Sequence, residues 1–416
     1  MNYSLFLARR LSLSADGKRM SPAIGVAIAA VALSVAVMIA SICIVGGFKR
    51  EIRDKVVGFN SHLTLTAYQT EYQEDNLISL TPSMRKLLDD TDFITSYSLE
   101  AAMPAVLKTG TDFKGVYFKA LDGADERAFI RKNLVAGTVP AFTDALPTDS
   151  MMKVVMSEQA ARQLELKAGD RIDVYFISDG IKVRRMDIEG VYNTHFESYD
   201  NLYLYGSKKV IDELTGIGSD KGTTLHIATD DFDRVEEYAA RLSEKLNTAY
   251  ADGLIYRPYR VETALDRGRN YFSWLSLLDT NVAVVLALMT VVACITLISG
   301  LLIIILDKIS FVGTMKALGA SDRSLGRTFI YVALKVTAFG IIIGNLLMLG
   351  LMWIQHTTHF MPLNPEHYYI DFVPVEFNWP AIAVLNAGVL AVVWLALILP
   401  SRFVARISPS ESMRYE

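Results

Sequence analysis

Residues Thr280–Leu306 read TNVAVVLALMTVVACITLISGLLIIIL, a run of 27 residues without a charged side chain. At 1.5 Å per residue, a helix of this length spans about 40 Å, whereas the hydrocarbon core of a bilayer is about 30 Å thick. The run therefore predicts a membrane-spanning helix that tilts or projects beyond the bilayer.

Three further apolar runs accompany it. Met20–Phe48 contains no charged residue, and it exceeds the apolar stretch of a secretory signal, which usually reaches about 15 residues. A third run extends from Lys335 to about Gln355, and a fourth from Phe377 to Ser401. Four such runs in a chain that is 51% hydrophobic favour four transmembrane helices over buried helices of a soluble core.

Lys and Arg residues are concentrated on one side of these spans. They occur in the N-terminal tail, in the loop between spans two and three, and in the C-terminal tail. The loop between spans three and four has neither, and it carries Glu366, Asp371 and Glu376 instead. By the positive-inside rule, the three basic segments are predicted to be cytoplasmic, and the acidic loop and the long segment after span one lie outside.

Two glycines in the third run, Gly340 and Gly344, form a G-x-x-x-G pair. Such a pair allows two helices to approach closely. The pattern leaves open whether the partner helix belongs to the same chain or to another one.

The segment 49–271 between spans one and two is long enough for a folded domain. Its alternating and helical patterns predict a mixed α/β structure. The predicted strands are 62–68, 105–108, 115–120, 153–156, 171–177, 183–191 and 224–229. The predicted helices are 82–89, 158–164, 232–247 and 258–269, the last being continuous with span two. We expect the first and last parts to pair as a βαβ-like subdomain, with a β-rich subdomain inserted at about residues 130–220.

The residues that carry chemistry show no catalytic or metal-binding pattern. The two cysteines, Cys43 and Cys294, both lie in apolar runs, which excludes a disulfide-stapled outer domain and a cysteine metal site. The histidines lack an H-E-x-x-H spacing, and no G-x-S-x-G elbow is present. The net charge of −4 gives no basic face for nucleic acid. We therefore predict neither an enzyme nor a cofactor site.

Several motifs resemble those of a known family. The loop after span two reads DKISFVGTMKALGAS over Asp307–Ser321, and the chain ends with SRFVARISPSESMRYE over Ser401–Glu416. Both resemble segments of FtsX-like ABC transporter permeases. The end of span one, GGFKREI over Gly46–Ile52, and the loop Met361–Trp379 resemble the lipoprotein-releasing (Lol-type) subgroup. The resemblance covers essentially the whole chain.

The resemblance implies a fold and a division of the chain. The fold class is an α-helical membrane protein with four transmembrane helices and an α+β, MacB-like periplasmic core domain between helices one and two. The implied divisions are a cytoplasmic amphipathic segment (1–19), span one (20–48), the periplasmic domain (49–271), span two (272–306), a cytoplasmic coupling loop (307–327), span three (328–355), a periplasmic loop (356–377), span four (378–400) and a cytoplasmic tail (401–416).

The resemblance also implies how ATP hydrolysis on a separate subunit is coupled to this chain. A permease dimer would bind two copies of a separate ATPase through a short coupling helix between spans two and three. Apolar side chains would enter a groove of the ATPase, and Lys308, Lys316 and Arg323 would supply charge around it. Gly313 and Gly319 would allow a tight start and end of the helix. The predicted coupling residues are Lys308, Gly313, Met315, Lys316, Ala317, Leu318, Gly319 and Ala320.

ATP itself is not expected to bind to this chain. No G-x-x-x-x-G-K-[ST] loop is present to hold the phosphates, which excludes the MacB-type architecture with a fused ATPase. The cargo implied by the resemblance is a lipoprotein, taken from the inner membrane into a cavity formed by helices one and two. The apolar faces of Met38, Ile42, Val45 and Phe48 fit such a cavity for lipid-like cargo, and they fit ordinary helix packing equally well. The other implied partners are a second permease subunit, membrane lipid and a periplasmic lipoprotein chaperone.

Two positions depart from the family pattern. Phe311 stands where relatives often have an acidic residue, which removes an ion pair with the ATPase at that point. The strands 171–177 and 183–191 are joined by a short turn, so the protruding hairpin of chaperone-binding relatives is not expected here. Two alternatives to lipoprotein release stay open. One is a MacB-like or FtsX-like mechanotransmitter serving efflux, peptide sensing or control of a cell-wall hydrolase. The other is an envelope scaffold without transport.

Overall fold

The computed structural model describes residues 14–15, 19–20, 22–68, 77–121, 123–142, 152–178 and 180–398. The chain forms two compact units. The helical unit comprises Met1–Arg50, Trp274–Leu363 and Phe372–Glu416, and the α+β unit comprises Glu51–Ser273 and Asn364–Asp371. Most of the predicted N-terminal amphipathic segment and all of the predicted C-terminal tail lie outside the described residues.

The β-strands of the described residues are short, apart from one of 13 residues. In chain order they are β1 (Ser14–Ala15), β2 (Arg19–Met20), β3 (Leu63–Ala67), β4 (Ile78–Ser79), β5 (Ile94–Glu100), β6 (Ala102–Lys108), β7 (Phe113–Ala120), β8 (Leu134–Gly137), β9 (Lys153–Ser157), β10 (Arg171–Ser178), β11 (Gly180–Tyr192), β12 (Tyr203–Gly206), β13 (Lys221–Gly222), β14 (Thr224–Thr229) and β15 (Tyr259–Thr263).

The α-helices of the described residues fall into a long apolar group and a short group. In chain order they are α1 (Pro22–Asn60), α2 (Pro82–Asp89), α3 (Ala124–Lys132), α4 (Glu158–Gln163), α5 (Glu197–Asp200), α6 (Lys208–Thr215), α7 (Val235–Ala251), α8 (Ala264–Arg267), α9 (Arg269–Asp307), α10 (Ile309–Ala317), α11 (Asp322–Thr358), α12 (Pro365–Tyr368) and α13 (Trp379–Ala396).

Four helices of the described chain, α1, α9, α11 and α13, are long and apolar enough to cross a membrane. α1 and α9 have 39 residues each, so each is about 58 Å long, well beyond a hydrocarbon core of about 30 Å. α1 continues past the predicted end of span one at Phe48 and ends at Asn60, and α9 begins at Arg269. Side chains from all four helices share one apolar core, which includes Val35, Leu301 and Phe329.

The G-x-x-x-G pair of α11 packs against α1 within the chain. A Cβ atom at Gly340 would lie 2.7 Å from the Cβ of Val31, and one at Gly344 would lie 2.6 Å from the carbonyl oxygen of Ala32. Neither distance leaves room for a methyl group. The two glycines therefore allow α11 to pack directly on the backbone of α1.

α11 and α13 are joined by a reciprocal pair of side-chain hydrogen bonds. The Asn345 amide donates to the Asn386 oxygen at 2.9 Å, and the Asn386 amide donates to the Asn345 oxygen at 3.1 Å. Asn345 also donates to the carbonyl oxygen of Ile341 at 2.7 Å. Because polar groups in apolar surroundings are costly when unsatisfied, this mutual pairing favours one register between the two helices.

The smaller sheet of the α+β unit has the order β15-β3-β14-β5, and every adjacent pair is antiparallel. β3 leads through α2 to β5, and β14 leads through α7 to β15, with one strand between the members of each pair. The arrangement is thus two split βαβ units, a form of the predicted βαβ-like pairing. Its core includes Leu63, Leu225, Met84 and Leu242.

The predicted helix over 258–269 is wrong in its first half. Residues Tyr259–Thr263 form β15, and only Ala264–Arg267 form the short helix α8 before α9 begins. Tyr259 and Val261 alternate onto the core of the smaller sheet, whereas Arg260 is exposed. This alternation is the period of a strand, and pairing with β3 decides the conformation.

The larger sheet has the order β10-β6-β7-β12-β9-β11-β8, and β10 also pairs with β11. Six strands therefore form a closed ring, whose interior contains Leu107, Phe118, Met156 and Phe176. The inserted subdomain begins at β6 (Ala102), not at about residue 130 as predicted, because the β6–β7 hairpin belongs to the ring.

A buried cluster of charges joins the two sheets. The Lys119 ammonium of β7 lies 2.8 Å from an oxygen of Glu100 and 2.7 Å from one of Glu126, and the His226 ring of β14 lies 2.7 Å from Glu100. Burial by itself would raise the pKa of Glu100, but Lys119 and His226 hold it at about 2. Lys119 also donates to the carbonyl oxygen of Phe59 at 3.1 Å. A buried charge requires such pairing, so the cluster specifies how β5, β7, α3 and β14 meet.

We predict that Gly340→Ala and Gly344→Ala each lower the stability of the detergent-solubilised protein by about 1–3 kcal/mol, because the added methyl group overpacks the α1–α11 contact. Thermal unfolding of the full chain measures the effect.

Gly350→Ala is the matched control in the same helix, since a Cβ there would meet nothing within 4 Å. Replacing this glycine should leave the protein as stable or slightly more stable. Equal behaviour of all three variants would contradict the packing role of Gly340 and Gly344.

Candidate functional site

The predicted coupling segment forms a short helix, α10, between the two long helices α9 and α11. α10 starts after Lys308, whose backbone (φ −110°, ψ 24°) breaks the helical path after α9. Val312 and Gly313 are buried, and Val312 belongs to the apolar core of the helical unit. One side of α10 is thus anchored in that core. The prediction that Gly313 opens the helix is wrong, because it lies in the fifth position of α10 against the core.

The end of α10 is a Schellman turn. Gly319 has φ +93°, its N–H donates to the carbonyl oxygen of Lys316 at 3.0 Å, and the Ala320 N–H donates to that of Met315 at 2.9 Å. Met315 and Ala320, which flank the turn, both pack against the core. This pair of bonds requires a left-handed residue at position 319, which is the role predicted for that glycine.

The turn exposes one large apolar side chain. Leu318, at the cap of α10, is 76% exposed, and Ala317 beside it is also exposed. Across the turn, the Lys316 ammonium lies 2.8 Å from Asp322 at the start of α11. The Ser321 hydroxyl accepts the Ser324 N–H at 3.4 Å and caps α11. These contacts hold the turn rigid, so that Leu318 is presented in a defined position.

The eight predicted coupling residues therefore divide into three groups. Met315, Ala320 and Gly313 face or approach the core, whereas Ala317, Leu318 and Gly319 face solvent. The two lysines lie near carboxylates. Lys308 is half-buried at 3.2 Å from Asp307, and the Lys316 side chain is only 9% exposed beside Asp322. The exposed apolar surface is consequently smaller than predicted and is centred on Leu318.

The four predicted cargo residues lie along α1. Met38 is fully buried in the helical core, and the Thr290 hydroxyl of α9 lies 3.8 Å from its sulfur. Ile42, Val45 and Phe48 are half-buried, and the Phe48 ring meets the Trp274 ring edge-on at 6.5 Å. Three of the four thus retain surface, whereas Met38 contributes to packing between α1 and α9.

Two families match this chain. Residues 25–245 match the MacB-like periplasmic core domain, and residues 283–409 match the FtsX-like permease C-terminal region. The first match covers more than half of the chain, and the second includes all of α10. The chain belongs to the FtsX-like ABC transporter permeases with a MacB-like periplasmic core domain.

Curated relatives match this permease over almost its whole length. The lipoprotein-releasing system transmembrane protein LolC of Xylella fastidiosa (strain Temecula1) is 21% identical, over 93% of this chain and 92% of its own. LolC of Neisseria meningitidis is 21% identical over 94% of both chains. LolE of Haemophilus influenzae is 21% identical over 99% of both chains.

Two solved structures match the permease over about half of its chain. The extracellular domain of the transporter YknZ from Gram-positive bacteria is 12% identical, with a TM-score of 0.34, over 48% of this chain and 99% of its own. The periplasmic region of MacB from Actinobacillus actinomycetemcomitans is 16% identical, with a TM-score of 0.33, over 52% of this chain and 94% of its own.

A second region of interest lies in the α+β unit of the permease, and sequence reasoning missed it. The aromatic rings of Phe196, Tyr199, Tyr271 and Tyr369 form a cluster, with centroid distances of 4.6 Å between Phe196 and Tyr271 and 5.0 Å between Phe196 and Tyr369. Phe59, at the end of α1, stacks on Tyr199 at 4.6 Å. The cluster joins α1, the 193–200 loop, the start of α9 and the residue that follows α12. Its members are far apart in the chain, so no local sequence pattern predicts it.

The 193–200 loop is shaped by a buried carboxylate. One oxygen of Asp200 accepts the Thr194 N–H at 3.1 Å, and the other accepts the Thr194 hydroxyl at 2.7 Å. Burial nevertheless raises the pKa of Asp200 to about 6. Across the described residues, no group of three or more His, Cys, Asp or Glu is arranged to hold a metal ion.

We predict that Asp200 makes the 193–200 loop more stable at acidic pH. Its folded pKa lies above the ordinary value of about 3.9, so its contribution is fully present below that value and is lost as the pH rises through 6. The free energy of local opening of the loop in the full-length protein, measured by hydrogen exchange corrected for intrinsic rates, should fall by about 2 kcal/mol between pH 4 and pH 7 relative to Asp200→Asn.

The exposed Asp92 supplies a control, since Asp92→Asn removes a carboxylate of the same unit outside this loop. A difference between wild type and Asp200→Asn that stays constant from pH 4 to pH 7 would contradict the prediction.

Proposed function

We propose that this protein is the permease subunit of an ABC transporter that uses a separate ATPase to extract lipoproteins from the inner membrane for delivery to the outer membrane. The observation that carries the proposal is the rigid turn after α10, which exposes Leu318 between two membrane-length helices. A short helix of this kind, anchored on one side and apolar at its tip, suits a groove on a nucleotide-hydrolysing partner. The curated relatives named for lipoprotein release support the choice of cargo.

The proposed topology follows the charge distribution. The N-terminus, the 307–327 loop and the C-terminus are cytoplasmic, and the 49–271 domain and the 356–377 loop are periplasmic. The protein is then a multi-pass protein of the bacterial inner membrane, with spans at 20–48, 272–306, 328–355 and 378–400. In this topology α10 faces the cytoplasm, where ATP and the ATPase are found.

The proposed assembly contains two ATPase subunits and a second permease subunit. ATP hydrolysis moves α10, and α9 carries this displacement to the periplasmic domain. The lipoprotein enters between α1 and α9, where Ile42, Val45 and Phe48 retain apolar surface. The acyl chains of the lipoprotein contact this apolar surface. A periplasmic lipoprotein chaperone then receives the released cargo. The tight β10–β11 turn, with Ser178 paired to Gly180, supports handover without a long hairpin on this subunit.

A second candidate function is mechanotransmission, as in MacB-like or FtsX-like systems. The match to the MacB-like periplasmic core domain over residues 25–245 favours it. In that case the periplasmic domain would act on an efflux channel, a peptide sensor or a cell-wall hydrolase, with no acylated cargo.

Purification from envelope membranes in mild detergent separates the two functions. We expect a separate ATPase and triacylated lipoproteins to co-purify with the permease, and mass spectrometry identifies both. An ATPase with a channel or a hydrolase, and without acylated cargo, would favour mechanotransmission. Recovery without any ATPase would overturn both functions.

We predict that Leu318→Ser weakens binding of the ATPase by about tenfold or more, because burial of a leucine side chain is worth about 1.5–3 kcal/mol. The fold should be unaffected, since the side chain is exposed in the isolated chain. Co-purification yield and ATPase stimulation in proteoliposomes measure the effect.

Leu254→Ser is the matched control, because Leu254 is also well exposed but lies in the α+β unit. It should leave ATPase binding unchanged. If Leu318→Ser binds the ATPase as wild type does, Leu318 is not the contact.

A further inference from the structure

A buried lysine lies near the end of α1, seven residues after the predicted end of span one. The Lys55 side chain belongs to the α+β unit and is 8% exposed. Its ammonium donates to the carbonyl oxygen of Thr194 at 2.7 Å and to that of Tyr369 at 2.5 Å. The two acceptors are 139 and 314 residues away in the chain. One cation therefore joins α1 to the 193–200 loop and to the segment Asn364–Asp371.

The hydrogen-bond partners of the Lys55 ammonium are backbone carbonyls, so they show how the backbone of the two loops is held. A buried cation is costly unless its hydrogen bonds are made, and bonds from a charged donor are stronger than neutral ones. The two loops must therefore keep their carbonyls directed at Lys55 in the folded protein. This contact restricts the backbone of both loops, whereas an ion pair would restrict only side chains.

Two further contacts hold the segment Asn364–Asp371 to the same place. The His195 ring nitrogen lies 3.0 Å from an oxygen of Asp371. The Tyr369 ring meets the Phe196 ring at 5.0 Å and the Tyr271 ring at 5.7 Å. All of these residues belong to the α+β unit.

The position of this cluster along the chain is significant. The chain passes between the two units next to Glu51 in α1, next to Ser273 in α9, and at the two ends of Asn364–Asp371. Lys55, Tyr271 and Tyr369 lie within a few residues of these points. Every connection between the units thus has a residue of the cluster beside it.

We propose that Lys55 is a positioning residue of the permease, which binds the segment Asn364–Asp371 and the 193–200 loop to α1 so that all chain connections of the periplasmic domain move as one body. The proposal rests on the proposed function, because movement driven by the ATPase is what these connections carry. Without Lys55, α1 moves but the segment Asn364–Asp371, in the loop between spans three and four, does not move with it. ATP hydrolysis then continues without release of cargo.

The test uses Lys55→Met in the full-length permease with its ATPase in proteoliposomes. Methionine keeps the apolar stem and removes the donor. We expect hydrogen-exchange protection of Asn364–Asp371 and of Thr194 to fall at least about tenfold, as loss of charge-assisted bonds implies. ATPase activity should stay within about twofold, while release of a triacylated lipoprotein falls at least about tenfold.

Two variants accompany it. Lys86→Met removes an exposed lysine of the same unit and should change neither protection nor release. Asp371→Asn weakens the His195 contact and removes a carboxylate charge that stabilises the Lys55 ammonium, and because Asp371 is largely exposed the protein should still fold. It should show the same pattern as Lys55→Met with a smaller amplitude, which keeps the test valid if Lys55→Met fails to assemble.

The outcomes separate this inference from the proposed function. Local loss of protection together with uncoupled ATP hydrolysis supports the inference. Unchanged protection of Asn364–Asp371, or a loss spread evenly over both sheets of the α+β unit, would overturn it. If wild type releases no lipoprotein, the proposed function fails, and the local exchange pattern still decides whether Lys55 positions the loop.

Discussion

Helix continuity across both units is the constraint on which the rest of the structure depends. α1 and α9 each run for 39 residues. In a bilayer, a helix satisfies its own backbone groups, and the same hydrogen-bond ladder can continue without a break into water. The chain therefore passes from the helical unit to the α+β unit within α1, and back again within α9. The tight packing of α11 on α1 through Gly340 and Gly344, and the anchored turn after α10, give those helices fixed neighbours in the helical unit.

Much of this arrangement could be predicted from the sequence, because its causes are local. Charge-free runs mark the apolar part of each long helix, and Gly319 marks the end of α10 because a Schellman turn needs a left-handed residue. Alternation located several strands to within a few residues. The failures also have physical reasons. β15 was mistaken for a helix because pairing with β3, almost 200 residues away, decides its conformation. Gly313 does not start a helix, because it is a buried residue in the middle of α10.

The residues that escaped prediction share one property, which is that their partners are remote in the chain. Lys55 stands among Lys49, Arg50, Glu51 and Arg53, and nothing in that charged stretch distinguishes the buried lysine from its more exposed neighbours. Lys119 lies in a strand whose other inward residues are apolar, and only the fold brings Glu100, Glu126 and His226 to it. In both cases the cation is buried because several segments supply acceptors at once. Such sites form only in the tertiary structure, so no periodic pattern in the sequence indicates them.

The place where the six-stranded ring joins the smaller sheet determines how freely the ring can vary. The ring is inserted between β5 and β14, and these strands are paired neighbours, with Glu100 opposite Thr224 and the Thr223 N–H bonded to the Glu100 oxygen at 2.8 Å. The whole insert therefore takes the place of a hairpin loop between β5 and β14, and its two ends are adjacent in the smaller sheet. The entropic cost of a loop grows only slowly with its length, so such a junction accepts large changes in what it carries. The insert is held to the rest of the unit by the contacts around Lys119 and by the 193–200 loop. Away from these two places, its strands and loops can change in length or sequence without altering the four-stranded sheet.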